Sequence, residues 1–374
     1  MNVVIIRSNP VKPDSRVEKE AYSLINHGYN VKILCWDRDS DHDLRRETIS
    51  VGNKRIPVFR LGFKAGFGQG FRNIIPFLKF QIAMTKWLKR NLNEYDVIHA
   101  CDFDTAFFSN RISKKYNKKF IFDIFDFLGG DANTILKKIE IQLQRKLINN
   151  SDATIICTEE RIHQIEGTKP KKLVVIHNTP SIVQMPKIEL KNNNMNNNCI
   201  KVVYVGILQD FRLLIELSNY FKNNKHIELH IGGFGKYHNY FKMLGDEYEN
   251  IHYYGRLKYE DTLALENNCD IMLAIYDPTL ENHRYAAPNK FYEALMLGKP
   301  LIMAKGTGMS EVVAKNDLGE IIDYSEVGFA KGLEKLIERK NEWEKMSLKM
   351  REIYSQDYDW NEMEKRLIEL YTNI

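Results

Sequence analysis

The sequence predicts an α/β protein of two doubly wound parallel-sheet domains with a cleft between them. Three observations predict it. Short β-branched runs alternate with amphipathic stretches along all 374 residues. Most of those runs are apolar throughout, as strands are when helices cover both faces of a parallel sheet. The alternation stops once and restarts, across Asn192–Asn194 and Asn196–Asn198, where six of seven residues are asparagine and no apolar periodicity survives.

In chain order, the first half offers strands at Asn2–Arg7, Asn30–Trp36, Ile56–Leu61, Asp96–Ala100, Lys119–Ile124, Ala153–Cys157 and Leu173–His177. Helical patterns separate them. In Arg16–His27, Val17, Ala21, Leu24 and Ile25 share one face before Gly28 stops the helix. After the asparagine-rich stretch, strands are expected at Ile200–Gly206, Ile227–Gly232, Ile251–Gly255, Asp270–Tyr276, Pro300–Met303 and Glu320–Ile322, and Ser325 to Ile374 reads entirely helical. The expected division is a first domain over 1–180, a linker over 181–199 and a second domain over 200–355, a length that gives each domain its own core.

Composition narrows the function classes. The 54 Lys and Arg against 49 Asp and Glu leave a charge of +5, too mild to imply nucleic-acid binding. No apolar run approaches the roughly 18 residues of a spanning helix. Met1–Arg7 lacks a basic leader and a cleavage site, so no signal peptide is expected. Cysteines at 35, 101, 157, 199 and 269 are odd in number and widely spaced, which argues against a disulfide scaffold or zinc ribbon and for a reducing cytoplasm.

The segment Asp270–Pro300 is the most informative. A buried strand ends in a polar loop, and a helix then runs from Pro288 to Gly298 with proline and glycine as its punctuation. Ligands bind beyond the carboxyl ends of strands in such sheets, and the free N–H groups of a helix start suit a phosphate. Lys290 and Glu293 lie three apart on one face near that start. A cation and a carboxylate there would hold a phosphate and a ribose diol. The same spacing also suits an ordinary surface ion pair.

The run PNKFYEALMLGKPLI resembles the donor-site signature of GT-B glycosyltransferases, in particular retaining glycosyltransferase family 4. YDVIHACDFDT, KFIFDIFDF, ATIICTEE, LVVIHNTPS, VVYVGIL, LHIGGFG and IHYYGRL resemble the successive strand-end motifs of that family, in order and from end to end. The resemblance implies two Rossmann-like domains, an acceptor domain followed by a donor domain, with the helix of 356–374 crossing back to the first. It implies a nucleoside-diphosphate sugar as co-substrate and no further cofactor. Glu293 matches the carboxylate that binds the donor ribose. Arg256 follows the strand whose end meets the nucleotide base. Gly206, Gly233 and Gly235 match glycines that admit the diphosphate, and Asn289 and Lys290 of PNK are candidate donor contacts.

Three departures from the family pattern stand out. Tyr285 occupies the place of a second glutamate eight residues before Glu293. Ile207 takes the place of an arginine, leaving Arg212 as the nearest cation for the pyrophosphate. Phe125, followed by Asp126, replaces a histidine. For the chemistry, Arg212 and Lys290 would meet the charge of the departing diphosphate without a metal. Asp102 and Asp126, at consecutive strand ends, would orient or deprotonate the acceptor hydroxyl, or else merely cap the helices that follow. Arg16 would bind an acceptor phosphate, or sit solvated at its helix start.

Metal is not expected. D-x-D begins at Asp37, Asp39, Asp41, Asp102 and Asp357, as often as chance allows, and His226 and His230 alternate with buried Ile227, Leu229 and Ile231 on a face expected to be exposed or half-covered. The run 71–92 carries Arg72, Lys79, Lys86, Lys89 and Arg90 among large apolar residues such as Ile74, Ile75, Phe77, Leu78, Phe80, Ile82 and Trp87, with no acid, as a helix resting on an anionic membrane would, or a core helix with a basic outer side. The expected function is therefore transfer of a hexose or N-acetylhexosamine, from UDP in preference to GDP, to a surface polysaccharide or lipid-linked glycan, in the cytoplasm at the membrane's inner face. An epimerase of the same fold and an inactive sugar-nucleotide-binding partner are the rival readings.

Overall fold

The apolar runs of the first half become one eight-stranded sheet. A computed structural model describes residues 1–66, 70–127, 134–180, 190 and 199–374. Strands β1 (Asn2–Arg7), β2 (Asn30–Asp37), β3 (His42–Val51), β4 (Lys54–Gly62), β5 (Val97–Cys101), β6 (Lys119–Ile124), β7 (Ala153–Ile156) and β8 (Leu173–Val175) lie in the order β3-β4-β2-β1-β5-β6-β7-β8. All pair in parallel except β3, which is antiparallel to β4. The chain divides into two units, Met1–Asn178 with Met363–Ile374, and Thr179–Glu362.

Helices α1 (Ser15–Asn26), α2 (Ile74–Arg90), α3 (Phe103–Lys115), α4 (Ile135–Asn150) and the single turn α5 (Arg161–Gln164) connect these strands. The Asp14 carboxylate caps α1 by accepting from the Val17 amide, and Val17, Ala21 and Leu24 face the core as their spacing requires. In α2, Phe80, Met84 and Leu88 are buried one turn apart, with Phe80 stacked on Trp36 at 5.0 Å between centroids. Burying each such side chain contributes roughly 1.5–3 kcal/mol, which fixes α2 to the sheet by one stripe.

The second unit is a six-stranded parallel sheet. Its strands β9 (Ile200–Ile207), β10 (Ile227–Phe234), β11 (Ile251–Tyr253), β12 (Ile271–Ala274), β13 (Leu301–Ala304) and β14 (Gly319–Ile322) follow the order β11-β10-β9-β12-β13-β14. Its helices are α6 (Leu214–Asn223), α7 (His238–Glu247), α8 (Tyr259–Asn267), α9 (Glu281–Tyr285), α10 (Asn289–Leu297), α11 (Ser310–Asn316), α12 (Glu326–Glu338) and α13 (Trp343–Ile353). A last helix, α14 (Trp360–Thr372), follows a π-helical turn at Tyr354–Tyr358 and an extended Asp359. The carboxyl-terminal segment is thus not helical without a break.

From Met363 onward α14 belongs to the first unit. The Tyr371 hydroxyl lies 2.7 Å from His99 Nδ1, Arg366 donates to the Val175 carbonyl at 3.2 Å, and Met363, Leu367 and Leu370 are buried. The expected linker 181–199 lies outside the described residues except for Leu190 and Cys199. All five cysteines are unpaired. Among the described residues no helix is long and apolar enough to cross a membrane.

Candidate functional site

In the second unit the connections run from β9 outward to β11 on one side and from β12 to β14 on the other. The reversal falls between β9 and β12, and ligands of doubly wound sheets bind beyond the carboxyl ends of the strands at that point. Three segments meet there: the loop after β9, the loop after β12, and the start of α10. Pro288 occupies the cap of α10 rather than its first turn, and Gly298 ends the helix in the left-handed region at φ 68°.

Lys290 and Glu293 are both buried, at 8% and 5% exposure, so neither is half of an ordinary surface pair. The Lys290 ammonium sits 4.6 Å from the centroid of the Tyr204 ring, on β9. Burial favours the neutral amine, but Tyr276, Tyr204, Glu293 and Glu266 around it win, and its pKa rises. Glu293 lies beside the Tyr259 hydroxyl, on α8, whose pKa burial and this carboxylate push up. On the same helix, neither carboxyl oxygen of the buried Glu266 has a hydrogen-bond partner. Burial, and then the neighbouring Glu293, push it well above the usual carboxylate range.

Arg212 reaches the same place from the other side. Its guanidinium lies beside the Tyr204 hydroxyl, 4.1 Å from the Tyr276 ring centroid, and approaches His283 Nε2 at 3.0 Å. The hydroxyl of Tyr204 in turn donates to the Ile207 carbonyl at 3.0 Å. Two cations, one from the loop after β9 and one from the first turn of α10, therefore converge on one tyrosine. Tyr204, Tyr276 and His283 were not singled out by sequence, because their roles exist only once the β12 loop folds over β9.

Two of the three candidate glycines, Gly233 and Gly235, are required by close backbone approach. A Cβ on Gly233 would fall 1.8 Å from the Gly206 carbonyl oxygen, and one on Gly235 would fall 2.7 Å from that of Leu208. Their φ values of 139° and 131° also favour glycine. Arg256 is exposed at the end of β11, two strands from β9, with its guanidinium 4.6 Å from the Phe234 ring. Asn289 is exposed at the first position of α10.

The first unit reverses direction between β1 and β5, and a charged cluster occupies that end too. Arg7, ending β1, pairs with Asp102 and with Asp14 at 2.9 Å. Asp102 has φ 66°, and its side chain makes no cap to α3, contrary to the capping reading. Its Oδ1 instead accepts the amides of Phe125 at 2.9 Å and Asp126 at 3.1 Å, which brings the two candidate aspartates together. Burial pushes the Asp102 carboxyl up to about 6 in spite of Arg7. Asp126 is 63% exposed and meets Arg161 at 3.1 Å. Phe125, which stands where the family has histidine, lies under two guanidinium groups, Arg7 at 4.1 Å and Arg16 at 4.6 Å.

Arg16 takes a different place from the one expected. It lies within α1, 2% exposed, and donates to Asp123 at 2.8 Å and the Ile176 carbonyl at 2.6 Å, with Glu20 at 3.1 Å. A buried cation already committed to two carboxylates is not a free phosphate ligand. His230 is also corrected. It is buried, not on a half-covered face, between Glu228 at 2.9 Å and the Tyr254 hydroxyl at 2.9 Å, while His226 is exposed.

Two groups among the described residues have metal-compatible spacing: His99, Cys101 and Asp123, and Glu228, His230 and His252. In the first, Arg16 and Tyr371 already engage Asp123 and His99, and burial raises the Cys101 thiol. In the second, both ring nitrogens of His230 are hydrogen-bonded within the protein.

No curated protein matches this sequence. Glycosyltransferase Family 4 matches residues 16–179, and Glycosyl transferases group 1 matches residues 187–353. The chain is similar throughout to solved structures. They include sucrose-phosphate synthase from Thermosynechococcus elongatus (14% identity, 100% of this chain and 98% of that one, TM-score 0.76). Anabaena HepE in complex with UDP is another (14%, 100% of both chains, TM-score 0.70). A third is the catalytic domain of starch synthase IV from Arabidopsis thaliana bound to ADP and acarbose (16%, 100% and 99%, TM-score 0.69). With one family domain in each of its two doubly wound units, the chain belongs to the GT-B glycosyltransferases.

Proposed function

We propose that this glycosyltransferase moves a hexose or N-acetylhexosamine, with retention, from a nucleoside-diphosphate sugar to a surface polysaccharide or lipid-linked glycan. The observation that carries the reading is the convergence of Arg212 and Lys290 on Tyr204, with Glu293 one helical turn beyond Lys290. Two fixed cations suit a diphosphate, and the buried Glu293 carboxylate beside them suits a ribose diol. UDP is favoured because HepE, alike across its whole length, is seen with it. GDP is the second choice.

In the transfer, the bond from the sugar's anomeric carbon to the β-phosphate oxygen breaks and a bond to the acceptor oxygen forms on the same face. Negative charge grows on the departing oxygen, and Arg212 and Lys290 stand preorganised to meet it, which is why no metal is assigned to the step. The first unit would take the acceptor. There Asp126 presents an exposed carboxylate to receive the acceptor proton, and Asp102 holds it in place through its amide.

Membrane attachment fits α2. Ile75 and Ile82 are 67% and 69% exposed, and Lys86, Lys89 and Arg90 share with Leu78, Ile82 and Phe108 the wall of a recess of about 460 Å³. Apolar side chains ringed by cations suit an anionic bilayer surface, which supports a position on the cytoplasmic face of the membrane, beside lipid-linked acceptors.

The test is a thermal-shift panel of UDP, GDP, ADP, CMP and dTDP against the native chain and Glu293→Ala. A ligand that binds only the folded state raises the melting temperature. One diphosphate should stabilise the native chain and not the variant. No stabilisation by any of them would remove the donor site.

A further inference from the structure

His283 holds Arg212 through a pair of contacts that specify its protonation. Its Nδ1 lies 2.9 Å from the Asp277 carbonyl oxygen, and its Nε2 lies 3.0 Å from Arg212 Nη1. A carbonyl oxygen can only accept, so Nδ1 carries the hydrogen. A guanidinium can only donate, so Nε2 must be bare. Both contacts are satisfied by one species alone, the neutral Nδ1–H tautomer. The imidazole ring also meets Tyr276 edge to face at 5.4 Å, and Tyr276 is the ring over which the Arg212 guanidinium lies.

We propose that His283 is a positioning residue for the donor diphosphate: as the neutral tautomer it receives Arg212 and fixes the guanidinium beside Lys290. This rests on the reading of Arg212 and Lys290 as the diphosphate site. The neighbours of His283 make the state robust. Arg212 faces it from the loop after β9, and the Asp277 carboxylate, in the loop between β12 and α9, is engaged by Thr279. From the loop before α11 the Gly308 amide donates to the His283 carbonyl at 2.9 Å. Burial, together with Arg212, outweighs Asp277 and keeps the ring's pKa below the usual histidine value. Protonation would set an imidazolium against the guanidinium and turn the acceptor that holds Arg212 into a second donor. Arg212 would then lose the contact that orders its long side chain.

The inference distinguishes two substitutions. In His283→Gln the side-chain oxygen can still accept from Arg212 while the amide nitrogen donates to Asp277. In His283→Ala neither is possible. The experiment is calorimetric titration of the full chain with UDP and with uridine, between pH of about 5 and 8, for the native protein, both variants and Arg212→Ala. His283→Ala should weaken UDP about tenfold and leave uridine unchanged, and His283→Gln should restore most of the loss. The terminal phosphate of UDP titrates near pH ~6 in every case. The histidine is therefore read as the additional acid-side loss of UDP affinity that the native protein shows and His283→Gln does not.

His283→Ala binding UDP as the native protein does, while Arg212→Ala does not, would overturn the role of His283 and leave the donor site standing. So would equal losses of UDP and uridine in His283→Ala, which would mark a purely structural residue. Native affinity for UDP in Arg212→Ala would overturn the diphosphate site itself, and this inference with it.

Discussion

Gly206 and Lys290 are packed so that a Cβ on the glycine would fall 2.7 Å from the lysine Nζ. The missing side chain is the space in which the ammonium sits over Tyr204. Gly206→Ala should therefore push the flexible end of Lys290 aside rather than break the fold. UDP affinity should fall about tenfold, a charge-assisted contact's worth, on calorimetric titration. Unchanged affinity would mean that Lys290 does not contact the donor where it now stands.

Gly233→Ala should behave differently. Its Cβ would meet the Gly206 carbonyl oxygen at 1.8 Å, in a backbone that cannot yield without separating β9 from β10, and its φ of 139° is unfavourable to any side chain. A loss of roughly 3 kcal/mol or more is expected. Chemical denaturation should show a lower midpoint than for Gly206→Ala. Equal midpoints would contradict the distinction.

The Asp102 carboxyl gives the first unit a pH dependence of two signs. Burial raises it to about 6. As pH falls through that value it takes up a proton, releases Arg7 and weakens its hold on the Phe125 and Asp126 amides. Activity should fall on the acid side with a limb near about 6, and Asp102→Asn should lower the plateau and abolish the limb. Stability runs the other way. A carboxyl whose folded pKa is raised stabilises the fold most below the unfolded value, and that contribution is lost as pH rises through about 6. Rate and melting temperature measured across this range should therefore change in opposite directions.

Much of this architecture was legible in the sequence, because buried parallel strands are written as apolar runs. The antiparallel β3 was not, since HDLRRETISV pairs only with β4 and leaves most of its side chains exposed or half-exposed. Lys290 and Glu293 could be named from residue type and spacing, and Arg212 from the family resemblance. His283 and Tyr204 could not, because a neutral histidine and a core tyrosine become parts of a site only through contacts across 71 and more residues. Arg16 misled for a related reason. Its position predicts a solvated helix start, but Asp123, on β6, draws it into the core.

Membrane attachment through α2 predicts that the chain sediments with vesicles rich in anionic lipid and not with neutral ones. Lys86→Glu with Lys89→Glu should abolish this, and Ile82→Asp should weaken it, without lowering the melting temperature, since all three side chains face outward. Binding that ignored lipid charge would contradict the reading.

The most direct test of the donor site is calorimetric titration of UDP into the native protein and into Lys290→Ala and Glu293→Ala. Saturable binding that each substitution weakens by about tenfold or more, with the preference for UDP over uridine reduced in Lys290→Ala, is the predicted result. UDP binding that survives both substitutions would place the donor elsewhere in the second unit and contradict the assignment.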